Sequence, residues 1–509
     1  MSEAENRYWI EADNVKAEVE IRIFPKEFAA LYLLKIPEVE AGTSALLEKI
    51  RETLIGKVAI KTIETFEPRQ YEEMKTKFLN TASEFIRSEL KDVSEDVIKL
   101  LSGILVHDML GIGKIEFLIA DPNLEEIVIN NSQEPVWVYH KKYGWLKTNI
   151  KIPREVDVEN YASIAARRVG KEITNLHPLL DAHLITGDRV NATLFPISTK
   201  GNTLTIRKFR RNPWVMPELI SGKTISLDVA ALLWTAMEYE INILISGGTA
   251  SGKTTFLNVL TTFIPPNQRI ISLEDTREIK LPSFLHWVPL TTRTPNPEGL
   301  GGIDMLELLI NSLRMRPDRI IVGEIRRHDQ AEVLFEAMHM GHSVYATLHA
   351  DTAEQTYRRL TSPPINLPDS MLESLQLIVA MFRDRRRGIR RIFQVAEIVP
   401  VEGAETKVML NTLYRWSPVK DEIEKQEKSL RVVDELKLRA GMSEKEFEAD
   451  LEDKKNILAW MVDHKIGTVD GVGKVVYEYY YDPENVIKIV NKNKSPEEII
   501  PKELLDGAT

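Results

Sequence analysis

The sequence predicts an α/β protein whose mostly parallel β-sheet is covered by helices on both faces. Between about residues 220 and 400, short apolar segments alternate with segments in which apolar residues recur at helical spacing. We expect strands at 241–245, 269–273, 319–322 and 343–346. Strands that are apolar along their whole length and separated by helices are typical of a parallel sheet buried on both faces. A glycine-rich segment directly after the first of these strands adds a strand–loop–helix unit to the same fold.

The N-terminal part of the chain differs from this pattern. Residues 1–110 combine strand-like segments at 19–24 and 57–62 with a charged segment, 71–90, whose apolar residues have helical spacing. This combination predicts an N-terminal α/β domain, and the segment contains no catalytic motif.

Two further domains are expected downstream. Residues 111–215 carry short strand patterns separated by turn signals, which predicts a second α+β domain. Pro213 and Pro217 mark a linker, since proline interrupts helices and sheet ladders alike. The third domain, 220–509, contains the parallel sheet and, from about residue 420, a charged and helix-prone C-terminal region.

Composition narrows the range of partners and compartments. The 509 residues include 66 Lys+Arg and 76 Asp+Glu, a formal net charge of −10. This balance weighs against non-specific binding to nucleic acid, so we expect no nucleic-acid partner. The chain has no cysteine, which excludes disulfides and zinc sites built on thiolates. The acidic N-terminus lacks signal-peptide features, and no apolar stretch approaches the ~20 residues that span a bilayer. We therefore expect a cytoplasmic protein that is peripheral to the membrane through a partner.

The segment GGTASGKT has every signature position of a phosphate-binding loop. It lies between an apolar strand pattern and a helix pattern, which is the context that the motif requires. Backbone amides of such a loop wrap phosphates, and the following helix directs its positive end at them. Lys253 would reach the β- and γ-phosphates, and the hydroxyl of Thr254 would bind Mg²⁺. The predicted nucleotide-binding residues are Gly247, Gly248, Thr249, Ala250, Ser251, Gly252, Lys253, Thr254 and Thr255.

Three acids and one histidine follow other predicted strands of the same sheet. Glu274 ends one strand, Glu278 comes four residues later, and Glu324 and His349 follow two further strands. In α/β folds the carboxyl ends of the strands line the ligand site. Glu324 is the candidate for holding Mg²⁺-bound water or polarising the attacking water, and Glu274 and Glu278 lie where α/β folds bind ligands. A solvated acidic loop and a structural histidine are the alternative interpretations.

Arginines in the second predicted domain are candidates for charge neutralisation. Arg189 and Arg207 lie on predicted strands, where arginine side chains usually extend into solvent. Phosphoryl transfer, however, needs cations beyond Lys253, because negative charge spreads over the γ-phosphate oxygens in the transition state. The residues alone leave four arginines as candidates for this role, namely Arg189, Arg207, Arg210 and Arg211.

Four motifs in order carry a resemblance to a known family. GGTASGKT, LEDTREI, RMRPDRIIVGEIR and GHSVYATLHADT resemble the Walker A, Asp box, atypical Walker B and His box motifs of the type II and type IV secretion ATPases. The resemblance covers about residues 110–400, and the stretches GIGKIEFLIADPNLEEIVIN and KKYGWLKTNI are most similar to the archaeal branch, which powers archaellum and type IV pilus assembly. The absence of cysteine agrees with this branch, since many bacterial relatives carry a tetracysteine zinc insert.

The resemblance implies a fold and a function. It implies a RecA-like phosphate-loop ATPase core with an N-terminal α+β domain pair, of which the second is PAS-like, and a helical C-terminal appendage. It implies a homohexameric ring that hydrolyses ATP with Mg²⁺ and acts on pilin-like subunits through a polytopic membrane platform protein. It also implies roles for the matching residues: Thr254 and Glu324 at the metal, and Glu324, Glu274, Glu278, His349, Arg189 and Arg207 in catalysis.

Two other functions and one surface remain open. A nucleic-acid translocase or conjugation-type ATPase could use the same fold, although the acidic composition weighs against it. A nucleotide-gated scaffold without turnover would not need the acids. The arginine-rich segment 382–393 predicts either a solvated hairpin or a surface for another subunit, an acidic partner or anionic lipid.

Overall fold

The computed structural model describes residues 4–24, 28–37, 41–57, 68–90, 93–109, 111–167, 169, 171–184, 187–208, 213–293, 295, 299–384, 386–401 and 407–505. Contacts between residues divide the chain into two units, Met1–Arg211 and Asn212–Thr509.

The first unit contains a mostly antiparallel sheet and five helices among its described residues. Its strands are β1 (Ala4–Ala12), β2 (Val15–Arg22), β3 (Leu31–Lys35), β4 (Leu124–Ile129), β5 (Pro135–His140), β6 (Gly144–Lys151), β7 (Leu179–His183), β8 (Arg189–Thr193) and β9 (Thr203–Arg207). Its helices are α1 (Ala41–Lys57), α2 (Pro68–Glu89), α3 (Glu95–Met109), α4 (Ile115–Ala120) and α5 (Glu155–Arg167). The strand order is β1-β2-β3-β6-β5-β4-β9-β8-β7, with β3 and β6 parallel.

Alternating burial explains why these segments form a one-sided sheet. In β5, Val136 and Val138 are fully buried while the intervening residues are only partly covered, which is the period-2 pattern of a sheet with one face on the core. Helix α2 follows the predicted 3.6-residue spacing, because Phe78, Ala82 and Ile86 are buried together against α1 and α3. The strand predicted at 57–62 lies outside the described residues, apart from Lys57 at the end of α1.

The two predicted N-terminal domains share this sheet. The pairing of β3 with β6 joins a strand from 1–110 to a strand from 111–215. A boundary near residue 110 therefore falls inside one contact unit and stays a prediction about how the chain is organised.

The second unit is built on the phosphate-loop segment. Its strands are β10 (Ile243–Gly247), β11 (Ile270–Glu274), β12 (Trp287–Thr291), β13 (Arg319–Val322), β14 (Ser343–Leu348), β15 (Leu377–Asp384), β16 (Ile389–Pro400), β17 (Val408–Ser417) and β18 (Glu422–Lys425). Its helices are α6 (Met216–Ser221), α7 (Leu227–Glu238), α8 (Lys253–Thr261), α9 (Met305–Leu313), α10 (His328–His339), α11 (Ala353–Thr361), α12 (Asp369–Leu372), α13 (Val432–Ala440), α14 (Glu444–Asp463), α15 (Val469–Tyr481), α16 (Pro483–Asn491) and α17 (Lys502–Leu505), with a 3₁₀ turn at Pro496–Glu498.

The strand order confirms the predicted α/β fold. The order is β12-β11-β13-β14-β10-β15-β16-β17-β18, and the first six strands are parallel. The strand that leads into the phosphate-binding loop, β10, is therefore flanked by β14 and β15 inside the parallel part of the sheet. Apolar cores cover both faces: one contains residues of α7, α8 and the C-terminal helices, and the other contains residues of α9, α10 and α11.

The last third of this unit differs in two respects from the sequence expectation. Strands β16, β17 and β18 extend the sheet in antiparallel fashion, so the sheet is parallel only on one side. The C-terminal helices begin at Val432, after β18, rather than at about residue 420. The charged segments here mask the strand signal, because the second and third residues of β16 are arginines and three of the four residues of β18 are charged.

Candidate functional site

The phosphate-binding loop joins β10 to α8 through two glycines in unusual backbone conformations. Gly247 has φ +155° and Gly252 has φ +97°, and residues other than glycine rarely adopt this backbone conformation. A Cβ at Gly247 would also lie 2.7 Å from the carbonyl oxygen of Met381. Gly252 is followed directly by the first residue of α8, so the loop ends at the positive end of a nine-residue helix.

The ammonium group of Lys253 is already folded back over this loop. Its Nζ donates hydrogen bonds to the carbonyl oxygens of Gly247 (2.9 Å) and Gly248 (3.1 Å). The residue is 8% exposed, and burial lowers the pKa of its ammonium group, partly offset by the charges of Glu324 and Asp351. A cation held by neutral carbonyls is underpaired, so phosphate oxygens entering the loop would be favoured partners.

A histidine connects Lys253 to Glu324. His349 directly follows β14. Its Nδ1 lies 3.5 Å from Nζ of Lys253, and its Nε2 lies 3.2 Å from Oε1 of Glu324. Burial, followed by the charge of Lys253, lowers the pKa of the imidazole, which favours the neutral form. We infer the tautomer in which Nε2 carries the proton and donates it to the carboxylate, since Nδ1 then accepts from the ammonium.

Glu324 is bound on its other side by an arginine. Arg326 lies 2.6 Å from Glu324 Oε2 and 2.8 Å from Asp275 Oδ2. Asp275 follows β11, and its Oδ1 accepts a hydrogen bond from Thr292. The carboxyl ends of β11, β13 and β14 are thus joined by one network of charges that extends to the phosphate-binding loop.

Glu274 is the most strongly perturbed acid of this region. It is 2% exposed, and its Oε1 accepts the backbone N–H groups of Glu278 (2.9 Å) and Ile279 (3.0 Å). Its Oε2 is buried and has no hydrogen-bond partner among the residues that the structure describes. Burial raises the pKa of the carboxyl to about 7. Glu278 is exposed, so the two acids left open by the sequence have very different surroundings.

Oxygen donors for a divalent cation lie on α8 and after β13. The Thr254 side chain is half-buried in the first turn of α8, and Glu324 is 20% exposed at its side chain. The described residues include no group of three or more His, Asp or Glu side chains that could hold a metal ion. One hydroxyl and one carboxylate fit Mg²⁺, which prefers oxygen ligands and completes its shell with water and substrate phosphates.

The remaining residues of the motif differ in exposure. Ser251 is buried and its hydroxyl donates to the Gly248 carbonyl at 2.9 Å, whereas Thr249 and Thr255 are exposed. Ala250 has φ +59°, and its carbonyl oxygen accepts a hydrogen bond of 3.2 Å from Arg390.

Arg189 and Arg207 belong to the first unit, where they face each other on adjacent strands. The register of β8 and β9 pairs them directly. Arg189 forms a bidentate ion pair with Asp181, and Arg207 lies opposite Glu126 in β4. The structure therefore brings the two predicted arginines together.

Sequence reasoning missed three residues that contact the site. Arg326 pairs with Glu324, Asp275 holds Arg326, and Arg390 contacts the loop. Arg326 follows Glu324 by two residues in the segment after β13, and this closeness in sequence is the one local signal for the pair. Arg390 is the second residue of β16, in the hairpin that β15 and β16 form, and only the sheet order places it beside the loop. In the same hairpin, Arg391 is buried against Asp421, and Arg385 lies outside the described residues.

Comparisons with known proteins place this chain among relatives whose printed descriptions name secretion systems. The family model described as type II/IV secretion system protein matches residues 181–399. The chain is 32% identical to the uncharacterized protein MJ0900 of Methanocaldococcus jannaschii, over 88% of this chain and 83% of that protein. It is 30% identical to the type IV secretion system protein PtlH of Bordetella pertussis, over 53% of this chain and 88% of PtlH. The solved structure of the pilus retraction motor PilT with bound ADP is 17% identical, with a TM-score of 0.43, over 68% of this chain and 91% of that one.

In the parts of both units that the structure describes, no helix is both long enough and apolar enough to span a bilayer.

Proposed function

Because the chain belongs to the family of type II/IV secretion system proteins, we propose that it is a Mg²⁺-dependent ATPase. We further propose that it works as a homohexameric ring motor, cytoplasmic and peripheral to the membrane. In this proposal, hydrolysis drives assembly or secretion of a type IV pilus-like or archaellum filament through a polytopic membrane platform protein, with pilin-like subunits as indirect partners. The observation that carries the ATPase proposal is the contact path from Lys253 through His349 to Glu324, at the mouth of a complete phosphate-binding loop.

Binding of ATP follows from the state of the loop. Residues 247–254 present successive backbone amides and the end of α8 to an anion. Lys253 exchanges its two carbonyl partners for oxygens of the β- and γ-phosphates. Thr254 and Glu324 are the residues that would hold Mg²⁺, which neutralises phosphate charge when bound.

Hydrolysis requires an oriented water and a proton acceptor. Glu324 can polarise a water molecule once His349 and Arg326 fix its carboxylate from two sides. Glu274 is a second candidate acceptor, because a carboxyl with a pKa of about 7 is poised to exchange a proton near neutral pH. We favour Glu274 over Glu278 for this reason.

The motor proposal adds the arginines of the first unit. On the family resemblance, Arg189 and Arg207 neutralise charge on the γ-phosphate when ATP is bound, and the contact is lost after hydrolysis. Such coupling between γ-phosphate contacts and domain movement is an established switching mode.

Turnover of the Glu324→Gln variant tests the ATPase proposal. The amide keeps the shape of the side chain but removes its charge, so we expect ATP binding to remain while phosphate release in steady state falls at least about 100-fold. A variant that keeps full turnover would contradict the role of Glu324. Stimulation of the wild type by single-stranded DNA, decreasing steeply with salt, would instead favour a nucleic-acid translocase.

A further inference from the structure

The loop that follows Glu274 is held by Glu274 itself. Oε1 of Glu274 accepts the amides of Glu278 and Ile279, so the loop 275–285 closes on the acid that precedes it. A second anchor comes from α8, since Asn258 Oδ1 accepts the amide of Lys280 at 2.8 Å. Movement of this loop would therefore move the carboxylate.

The far side of the loop rests on helix α15 of the C-terminal region. Asp470 Oδ1 accepts both the amide (2.7 Å) and the hydroxyl (3.1 Å) of Ser283. Gly473 lies directly under Pro282, because a Cβ at this glycine would come within 2.5 Å of the proline ring. One turn further along α15, Tyr477 packs edge-on against Phe284 with ring centroids 5.8 Å apart.

Helix α15 is itself fixed to the body of the second unit. The Tyr480 hydroxyl accepts from Trp234 Nε1 of α7 (2.9 Å) and donates to the Phe263 carbonyl just after α8 (2.7 Å). The neighbouring Tyr479 donates to Asp450 of α14 at 2.9 Å. A helix tied on this side to α7, α8 and α14 is a firm support for a loop on its other side.

We propose that Asp470 and Gly473 are positioning residues for Glu274: through the loop 275–285, α15 holds the acid in its working place. The C-terminal helices are then a part of the hydrolytic machinery, and a partner that shifts α15 would change the rate of hydrolysis. The proposal rests on the proposed ATPase function for its effect on rate, but the mechanical link between α15 and the loop does not.

The experiment compares Asp470→Ala with Asp470→Asn in the full chain. Alanine removes the acceptor for Ser283, whereas asparagine keeps an Oδ1 in the same place. Asp482→Ala is the matched control. It removes an aspartate at the other end of α15 that also accepts a hydrogen bond from a backbone amide, the amide of Asn485. Gly473→Ala is a second variant that pushes the loop instead of releasing it.

We expect Asp470→Ala and Gly473→Ala to lower kcat about 10-fold or more while KM for ATP changes less than about threefold, since misplacement of a catalytic group affects the reaction more than binding. Asp470→Asn should restore the rate, and Asp482→Ala should leave it unchanged. In the nucleotide-free proteins, hydrogen exchange at the amides of Glu278 and Ile279 should be faster in Asp470→Ala than in the wild type or in Asp482→Ala.

The two readouts separate the two proposals. Unchanged exchange at Glu278 and Ile279 in Asp470→Ala would overturn the link to α15, whatever the enzymatic rates. Failure of asparagine to restore kcat, or an equal loss in Asp482→Ala, would overturn the positioning role. A wild type without ATP hydrolysis would sink the proposed function, and the exchange measurement would still decide whether α15 holds the loop.

Discussion

The Glu274→Gln substitution should make the protein more stable at alkaline pH and have little effect at acidic pH. In the wild type, ionised Glu274 lies in a buried site, and none of the described residues offers a hydrogen bond to one of its oxygens. Glutamine is uncharged, and its carbonyl oxygen can still accept the amides of Glu278 and Ile279. The substitution therefore removes the cost of burying a charge and keeps the hydrogen bonds to the loop.

The size of the effect follows from the pKa. The Glu274 carboxyl has a pKa of about 7 in the folded protein against an ordinary value of 4.5, and a tenfold change in proton affinity corresponds to about 1.4 kcal/mol. The folded state holds the proton more tightly than the unfolded state. The free-energy cost of burying the ionised carboxylate is therefore absent below pH 4.5, grows as the pH rises towards 7, and is complete above pH 7. Ionised Glu274 thus lowers the free energy of unfolding by about 3 kcal/mol, of which about 2 kcal/mol develops between about pH 5.5 and about pH 8.5.

Urea denaturation of the nucleotide-free full chain at these two pH values measures the effect. The difference in free energy of unfolding between Glu274→Gln and the wild type should increase by about 2 kcal/mol from the lower to the higher pH. The exposed Glu278 supplies the matched control, because its substitution relieves no charge in a buried site, and the corresponding difference for Glu278→Gln should change by much less than about 2 kcal/mol. Parallel curves for Glu274→Gln and the wild type would refute the reasoning that burial holds this carboxyl protonated.

Substitutions of lysines test the phosphate-binding loop and the C-terminal helices. Lys253→Ala should weaken binding of a fluorescent ATP analogue by about 10- to 100-fold, because a charge-assisted hydrogen bond to phosphate is lost; unchanged affinity would contradict the phosphate-loop assignment. Lys454, fully buried between Glu238 and Asp450, should be essential for stability, so Lys454→Met should lower the free energy of unfolding in urea by about 3–5 kcal/mol. The neighbouring Lys455 pairs with acids at the surface, and Lys455→Met should cost less than about 1 kcal/mol.

The sequence predicted the parallel core and singled out several residues of the candidate site, because both depend on local patterns. The apolar run before Gly247 and the motif after it specify a strand, a loop and a helix within 20 residues, and the structure has β10 and α8 there. Glu274, Glu324 and His349 were placed at strand ends by the same rule, and the structure joins Glu324 to His349.

Features that depend on distant parts of the chain could not be predicted. Nothing local in the sequence distinguishes Glu274 from Glu278, because burial of the first depends on the folding back of the loop. The same holds for Arg390, which reaches the Ala250 carbonyl across 140 positions of sequence, and for Asp470, which meets Ser283 across 187 positions. Such contacts are set by sheet order and helix packing, which a pattern of single residues does not encode.

The most direct test of the central claim, that residues 247–254 bind the phosphates of ATP, is a crystal structure of the full chain with Mg²⁺ and a non-hydrolysable ATP analogue. We predict that Lys253 Nζ leaves the carbonyl oxygens of Gly247 and Gly248 and contacts the β- and γ-phosphates, with the loop amides around them. An analogue bound elsewhere, with Lys253 still on its two carbonyls, would contradict the claim.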